Sequence, residues 1–189
     1  MLNRFMHVLF LKKYFFVDSF EPNLIKFQDK NTTIIYRNYT KKKNLDEIIK
    51  LKNFCEKKNY KLFLANDIKL ALKLGLNGAY LPSFNNNFNH LSYSLKKNFI
   101  LLGSAHNISE IRIKQKQKVN KIFLSSIFKK NKNYLGVNKF KNIVTNLNFS
   151  FVALGGINET NFKKLKLANT KEFAGIQFFK KKAPLKGAF

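Results

Sequence analysis

The 189-residue sequence has one cysteine, ten acidic residues and no long uncharged apolar segment. The lone Cys55 excludes a framework of internal disulfides and favours a reducing, cytoplasmic location. No apolar run approaches the roughly 18 residues that a membrane-spanning helix needs, so we expect no membrane partner. The first 13 residues lack the small-residue cleavage site of a secretory signal. This length suits one hydrophobic core, and we expect a single domain over residues 1–189.

The ten acidic residues offset only part of the 36 lysines and arginines, which leaves a formal net charge of +26. Such a charge raises nucleic acid as a candidate partner. However, the lysines are spread along the whole chain, and there is no zinc-finger spacing, aromatic RNA-binding motif or arginine-rich arm. We therefore expect no specific nucleic-acid partner, and we expect the charge to draw in small anionic substrates.

Short apolar runs alternate with helical segments about every 20 residues, which is typical of a parallel α/β sheet. The runs that we interpret as strands are 14–17, 33–36, 62–65, 78–81, 99–102, 122–124, 151–154 and 174–179. The connections that we interpret as helical are 21–30, 44–58, 68–74, 90–97, 107–118, 137–147 and 159–167. Eight such units predict a closed (β/α)8 TIM barrel, although the pattern also allows an open, doubly wound sheet.

Local signals place several helix ends. Asn44 and Asn107 are predicted N-caps, with Glu110 at the reciprocal capping position, and Gly75 is predicted to close a helix. Only ten residues follow the last predicted strand, so we expect the barrel to be truncated after its eighth strand. The N-terminal segment or a partner subunit would then cover that face.

The apolar strand 151–154 runs directly into Gly155 and Gly156. Without a Cβ, both glycines allow a ligand to approach closely, so backbone N–H groups can point at an anion. The alternative is an ordinary strand-to-helix turn. Because (β/α)8 barrels commonly hold phosphate at the ends of the seventh and eighth strands, we predict a phosphate cradle at this pair.

Polar side chains collect at the carboxyl ends of the other predicted strands, where barrel enzymes place their chemistry. Asp67 is either a Mg²⁺ ligand or the N-cap of the following helix. His106 is either a proton shuttle or a residue that orients its loop. Arg37 suits a bidentate anion contact; the alternative is an ion pair with Asp18 or Asp67.

Taken in order, these segments resemble the thiamine phosphate synthase/TenI superfamily. The resemblance covers residues 14–184 and rests on the following fragments: Phe15-Phe16-Val17-Asp18, Leu64-Ala65-Asn66-Asp67, Gly78-Ala79-Tyr80-Leu81-Pro82-Ser83, Gly103-Ser104-Ala105-His106-Asn107, Leu124-Ser125-Ser126-Ile127-Phe128, Val152-Ala153-Leu154-Gly155-Gly156-Ile157-Asn158 and Ala174-Gly175-Ile176. It implies a (β/α)8 barrel that joins a pyrimidine diphosphate to a thiazole phosphate with release of pyrophosphate and the help of Mg²⁺. It also implies that copies of the chain can form a homo-oligomer.

Carried over residue by residue, the resemblance implies a metal ligand, a diphosphate site and a phosphate site. Asp67 would bind Mg²⁺, and Arg37 with Asn66 would hold the diphosphate. Ser104 would contact the departing pyrophosphate, and both Ser104 and His106 are candidate catalytic residues. Gly155 and Gly156, together with the backbone near Phe179 and Lys180, would hold the thiazole phosphate.

The sequence also departs from the family pattern. The second-strand Gln-x-Arg-x-Lys is reduced to Arg37, and a histidine of the fourth strand is Tyr80. A second metal-binding aspartate, after the fourth strand, is matched by Asn85 or by a neighbouring asparagine. The usual Ser/Thr-rich loop after strand six is Lys129-Lys130-Asn131-Lys132. Two alternatives therefore stay open. One is a TenI-like thiazole tautomerase, which would use His106 and no metal; the other is a degenerate, non-catalytic binder of phosphate ligands.

Overall fold

The computed structural model describes residues 12–39 and 44–180. Eight parallel strands form one closed barrel in sequence order, and the eighth strand pairs with the first. The strands are β1 Lys12–Val17, β2 Thr32–Tyr36, β3 Leu62–Ala65, β4 Gly78–Leu81, β5 Ile100–Ala105, β6 Lys121–Ser125, β7 Phe151–Leu154 and β8 Glu172–Gly175. The predicted (β/α)8 barrel is confirmed, because an open doubly wound sheet would leave two edge strands unpaired.

Helices connect the strands. They are α1 Pro22–Ile25, α2 Leu45–Lys57, α3 Ile68–Lys73, α4 Ile108–Lys116, α5 Gly136–Asn146 and α6 Gln177–Lys180, with 3₁₀ helices at Asn89–Ser92 and Phe162–Ala168. The predicted helix ends are confirmed, but the carboxylate of Glu110 accepts from the backbone N–H of His106 rather than closing a reciprocal capping box on Asn107. Asn44 Oδ1 accepts from Glu47 N–H at 3.3 Å, and Asn107 Oδ1 accepts from Glu110 N–H at 2.9 Å. Gly75 closes α3 with a φ of 66°, a left-handed conformation that glycine adopts without strain.

Two predicted helices are wrong in extent and type. The segment 90–97 holds only the 3₁₀ helix Asn89–Ser92, because Leu91 and Leu95 are exposed and no apolar stripe is available to bury a longer helix. In the segment 159–167 the side-chain oxygen of Asn158 accepts from the N–H groups of Thr160 and Asn161. This local turn delays the helical start, and a 3₁₀ helix forms instead.

The last strand also differs from the prediction. β8 begins earlier, at Glu172, and ends at Gly175, so residues 176–179 are not part of it. Phe178 and Phe179 lie on α6 and are buried against the outside of the barrel, where Phe179 stacks on Phe15 with ring centroids 4.8 Å apart. A buried helical turn and a buried strand have the same apolar composition, which explains the error.

Aromatic rings fill the interior of the barrel. Tyr14, Phe16, Tyr80 and Phe123 belong to the inner hydrophobic cluster. Their rings meet edge to face: Tyr14 and Phe123 have centroids 4.9 Å apart, and Tyr80 lies 5.2 Å from Phe16 and 5.4 Å from Phe123. The interior is therefore packed solid, and Phe16 with Tyr80 forms the floor of the opening at the carboxyl ends of the strands.

Charged pairs close the opposite, amino end of the barrel. Glu172 Oε2 accepts from the Tyr14 hydroxyl at 2.9 Å, and its other oxygen contacts the Lys121 ammonium. Burial, followed by the charge of Glu172, raises the pKa of Tyr14. The buried Lys13 pairs with Asp29. In barrels of this kind the amino end serves stability, so these pairs are structural.

Two expectations fall on residues that the structure does not describe. The N-terminal segment of residues 1–11 and the stretch 181–189 lie outside the described ranges, so the covering of the face beyond β8 stays a prediction. Within the described ranges, no helix is both long enough and apolar enough to cross a membrane.

Candidate functional site

Arg37 lies at the carboxyl end of the barrel, directly after β2. Its backbone N–H donates to Val17 O at 2.7 Å, and its guanidinium carbon stands 4.3 Å from the centroid of the Phe16 ring. With Asp18 and Lys180 it lines a cleft of about 70 Å³. None of the ion pairs among the described residues involves Arg37, so the alternative of a structural pair with Asp18 or Asp67 is not found there. The stacked guanidinium remains suited to an anion.

Ser104 and Tyr80 lie beside Arg37 on neighbouring strands. Both side chains are buried. Burial raises the pKa of Tyr80, while a hydrogen bond with Ser104 and the charge of Arg37 act in the opposite direction. Both predicted residues, Arg37 and Ser104, are thus close enough to Tyr80 to influence the pKa of its hydroxyl.

Asp67 is the N-cap of α3, since its Oδ1 accepts from Leu70 N–H at 3.0 Å. Asn66 lies beside it with a left-handed φ of 59°, and its Oδ1 accepts from Asn85 Nδ2 at 2.6 Å. In the described part of the chain no three His, Cys, Asp or Glu side chains cluster as a metal site. Mg²⁺ is often held by one or two carboxylates plus substrate phosphate oxygens and water. Asp67 fits that sparse donor set, and its metal role stays a prediction.

His106 is held by Glu110. Its Nδ1 is 2.9 Å from Glu110 Oε2, and its backbone N–H donates to the same oxygen at 2.8 Å. Asn107 Nδ2 donates to the other oxygen of that carboxylate at 3.1 Å. This arrangement orients the loop after β5, while proton transfer by His106 stays a prediction.

Gly155 and Gly156 have positive φ values of 103° and 76°. The loop after β6 packs directly on them: Phe128 and Lys129 donate their N–H groups to Gly155 O at 2.9 and 3.2 Å. A Cβ on Gly155 would lie 2.8 Å from Ser126 Cα, and one on Gly156 would lie 2.5 Å from Lys129 N. This close approach of two loops is a second reason for the glycines, which the sequence did not reveal.

The same two glycines present donors that no neighbouring group uses. Neither N–H donates to a protein acceptor within residues 12–39 and 44–180. Successive backbone N–H groups in a turn can form a concavity that suits an anion. The geometry is compatible with the phosphate cradle, which stays a prediction.

Phe179 and Lys180 differ in their surroundings. The Phe179 side chain belongs to the core, and the backbone N–H groups of both residues donate to Ile176 O at 3.1 Å. The exposed Lys180 lines the cleft beside Arg37. Both backbone N–H groups thus bond within the helical turn, and Lys180 reaches the cleft through its side chain. The phosphate contact of this backbone stays a prediction.

Several residues at this end were not among the candidates. The rings of Tyr39 and Phe84 meet at the rim with centroids 5.4 Å apart. Tyr39 could have been found, because it stands where the Gln-x-Arg-x-Lys pattern of the family has its lysine, two residues after Arg37. Phe84 had no such signal, since exposed aromatic residues occur singly on many surfaces.

Lys114 was also missed. It lies on α4 and is fully buried, and its Nζ donates to Asn85 O at 2.6 Å and to Gln117 Oε1 at 2.9 Å. Gln117 Nε2 donates in turn to Asn85 O at 3.0 Å and to Asn87 O at 2.9 Å. Burial lowers the pKa of Lys114 to about 8, while Glu110 acts in the opposite direction. These bonds fix the loop that follows β4.

The family comparison agrees with this arrangement. The model of the thiamine monophosphate synthase family matches residues 24–179. The chain belongs to this family. Two curated relatives are thiamine-phosphate synthases of Prochlorococcus marinus. The relative from subspecies pastoris (strain CCMP1986 / NIES-2087 / MED4) is 30% identical over 129 residues, and the one from strain AS9601 is 28% identical over 144 residues.

The alignments cover 66% and 74% of this chain but 37% and 41% of those two relatives, so the chain spans well under half of their length. Among solved structures, thiamine phosphate pyrophosphorylase from Pyrococcus furiosus superposes with a TM-score of 0.71 at 15% identity, covering 94% of this chain and 93% of that one. FabK from Thermotoga maritima gives 0.67 at 12% identity, covering 93% and 61%. At such identities the superpositions show the barrel fold alone.

Proposed function

We propose that this family member acts in thiamine biosynthesis as a transferase that joins a pyrimidine diphosphate to a thiazole phosphate and releases pyrophosphate. The observation that carries the proposal is the convergence of Arg37, Ser104 and the glycine pair at one end of a barrel that matches the family over residues 24–179. The named activity of the curated relatives supports the reaction class.

The proposed site would separate the two anionic groups of the substrates. Arg37, stacked on Phe16, would hold the diphosphate with its planar fork of N–H donors, and the Ser104 hydroxyl would donate to the departing pyrophosphate. These donors favour bond cleavage because they meet negative charge as it develops on the leaving group. Gly155 and Gly156 would offer backbone N–H groups to the thiazole phosphate. Lys180 lines the cleft beside Arg37 and would add positive charge to that part of the site.

Asp67 is the residue that we propose to hold Mg²⁺, together with diphosphate oxygens. When bound, the ion would neutralise charge on the diphosphate and help to orient it. Asn85 replaces a carboxylate in the family pattern, so the metal would depend on a single protein carboxylate and on the substrate's own oxygens.

The test is formation of thiamine phosphate from hydroxymethylpyrimidine diphosphate and thiazole phosphate, with Mg²⁺ and with excess chelator. We compare the wild type with Asp67→Asn, because asparagine caps a helix as well as aspartate does but lacks the charge that binds the metal. We expect metal-dependent product, and a loss of at least about tenfold in kcat/KM for the variant. Asp46→Asn, in the first turn of α2, is the matched control and should keep its activity.

Absence of product, with thiazole phosphate still bound, would contradict the synthase proposal. The TenI-like tautomerase would then be favoured by the His106–Glu110 pair, in which a carboxylate orients an imidazole that is partly exposed. A His106→Asn variant separates that activity from the non-catalytic binder, because only a tautomerase would lose turnover while it keeps its affinity for the phosphate ligand.

A further inference from the structure

Two aromatic side chains stand at the rim of the barrel and come from different loops. Tyr39 follows β2 and is 46% exposed, and Phe84 follows β4 and is 63% exposed. Their rings meet nearly at right angles, with centroids 5.4 Å apart and an interplanar angle of 76°. Exposed apolar surface carries an unfavourable free energy of about 25 cal/mol per Å². Two exposed rings in contact present more continuous apolar surface than a single exposed ring does. This geometry suits a ligand that covers both rings.

The pair borders the cationic part of the site. Tyr39 lies close enough to Arg37 and Tyr80 for their charges to influence its hydroxyl. Arg37 in turn stacks on Phe16 at the floor of the opening. An exposed aromatic pair and a guanidinium thus adjoin each other, which matches a ligand with an aromatic ring at one end and a strongly anionic group at the other.

The loop that carries Phe84 is held in place by the buried polar network beneath it. The next residue, Asn85, accepts through its backbone oxygen from Lys114 and Gln117, and its side chain donates to Asn66 at 2.6 Å. Fixing the loop before the ligand arrives lowers the entropy lost on binding. Phe84 is therefore presented by an anchored loop although its own ring is exposed.

We propose that Tyr39 and Phe84 form the surface on which the aromatic heterocycle of the diphosphate substrate stacks while Arg37 binds its phosphates. The proposal rests on the proposed function, and it identifies the residues of the site that select for a ring. The substrate class is a planar heteroaromatic molecule that carries a diphosphate. Neither residue reacts; they determine specificity through the binding of the ring.

The first experiment uses the absence of tryptophan from the sequence. Phe84→Trp gives the protein a single indole and keeps an aromatic ring at the rim. We expect hydroxymethylpyrimidine diphosphate to quench its fluorescence and inorganic diphosphate to leave it nearly unchanged. Leu167→Trp is the control, because Leu167 is 64% exposed on the second 3₁₀ helix and should respond to neither ligand.

The second experiment measures the affinity of the same two ligands by calorimetry. Phe84→Ala and Tyr39→Ala should each weaken the pyrimidine diphosphate about tenfold, as expected for the loss of one stacking partner. The affinity for inorganic diphosphate should stay unchanged. Tyr39→Phe should behave as the wild type, because it keeps the ring and removes only the hydroxyl.

Equal quenching by both diphosphates, unchanged affinity in both alanine variants, or no binding of the pyrimidine diphosphate to the wild type would each overturn the stacking proposal. Failure of the proposed function looks different. If the wild type binds the ring-bearing ligand through Tyr39 and Phe84 but makes no thiamine phosphate, the stacking surface stands and the synthase reaction falls. If Phe84→Ala and Tyr39→Ala make product with wild-type KM, the synthase reaction stands and the stacking proposal is overturned.

Discussion

At the scale of single residues, Gly155 and Gly156 meet two requirements at once. Each has a positive φ, and each lies against the backbone of the loop after β6, so a side chain would be strained and would also clash. From the doubled glycine the sequence predicted a close approach of a ligand, which is different from both requirements. The second arises from Ser126 and Lys129, which pack on the pair from the neighbouring βα unit.

Alanine at Gly155 tests this account of the pair. We expect Gly155→Ala to lower the free energy of unfolding by about 3 kcal/mol, since the strained φ and displaced backbone atoms add to each other. Gly75→Ala is the matched control: its φ is 66°, but a Cβ there meets nothing within 4 Å. It should cost about 1 kcal/mol. Urea denaturation measures both values, and equal losses would contradict the role of loop packing.

At the scale of elements, α4 does more than connect two strands. Lys114 directs its ammonium into the loop after β4, and the same helix carries Glu110, which orients His106. One short helix thus fixes parts of two loops at the carboxyl end of the barrel. The connection from β4 to β5 needs no long helix of its own, because His90 of its 3₁₀ helix is buried with its ring nitrogen 2.8 Å from Gln117 O.

The pH dependence of stability tests the burial of Lys114. Its pKa is about 8 in the folded protein and near 10.5 in the unfolded chain. Below pH 8 both states are protonated and the cost of the buried charge is present in full. Between pH 8 and 10.5 the unfolded state binds more protons, so stability rises with pH. Relative to Lys114→Met, the wild type should gain roughly 1 to 3 kcal/mol across this window.

The measurement is urea denaturation of both proteins at several pH values. Taking the difference between wild type and variant removes the titration of the other lysines, which the two proteins share. Lys116→Met is the control: Lys116 is exposed on the same helix, and its substitution should leave the wild-type pH profile unchanged. If the free energy of unfolding of the wild type, relative to that of Lys114→Met, falls as the pH rises above 8, the expected sign is wrong.

At the scale of the whole molecule, the formal net charge is +26, and the lysines of the described residues are spread around the barrel. Exposed lysines lie on each of the helices from α2 to α5 and on the second 3₁₀ helix, including Lys50, Lys73, Lys116, Lys139 and Lys163. The even spread agrees with the expectation of no specific nucleic-acid partner, which stays a prediction. Mutual repulsion of so many like charges destabilises the compact state.

Salt should therefore stabilise the protein. Raising NaCl from about 10 mM to about 300 mM shortens the Debye length from roughly 30 Å to well under 10 Å. We expect the thermal midpoint to rise by about 2 to 6 °C, which corresponds to about 1 to 2 kcal/mol for a chain of this size. Differential scanning calorimetry measures the shift, with sucrose at equal osmolarity as the uncharged control. A midpoint that falls with NaCl would show that repulsion does not limit stability.

The sequence by itself determined the barrel and most of its units. The strands 62–65, 78–81 and 151–154 match the structure residue for residue, because a strand buried on both faces is a continuous apolar run that glycine or polar residues end. The caps at Asn44 and Asn107 were also predictable, since capping bonds join residues three positions apart. The placement of Arg37 and Ser104 at one end of the barrel was predictable as well, because the carboxyl ends of parallel strands share one side of a barrel.

Tertiary structure alone decided the features that depend on residues far apart in sequence. The sequence around Phe179 is typical of the end of a strand, but in the structure its ring packs on Phe15 from a helical turn. In the sequence Lys114 has the pattern of a surface lysine, but α4 places it beneath Asn85. Tyr39 and Phe84 form a pair because the loops after β2 and β4 approach each other. Such contacts arise from the closure of the barrel, and no local pattern encodes them because burial and hydrogen bonding are set by neighbours that only the fold supplies.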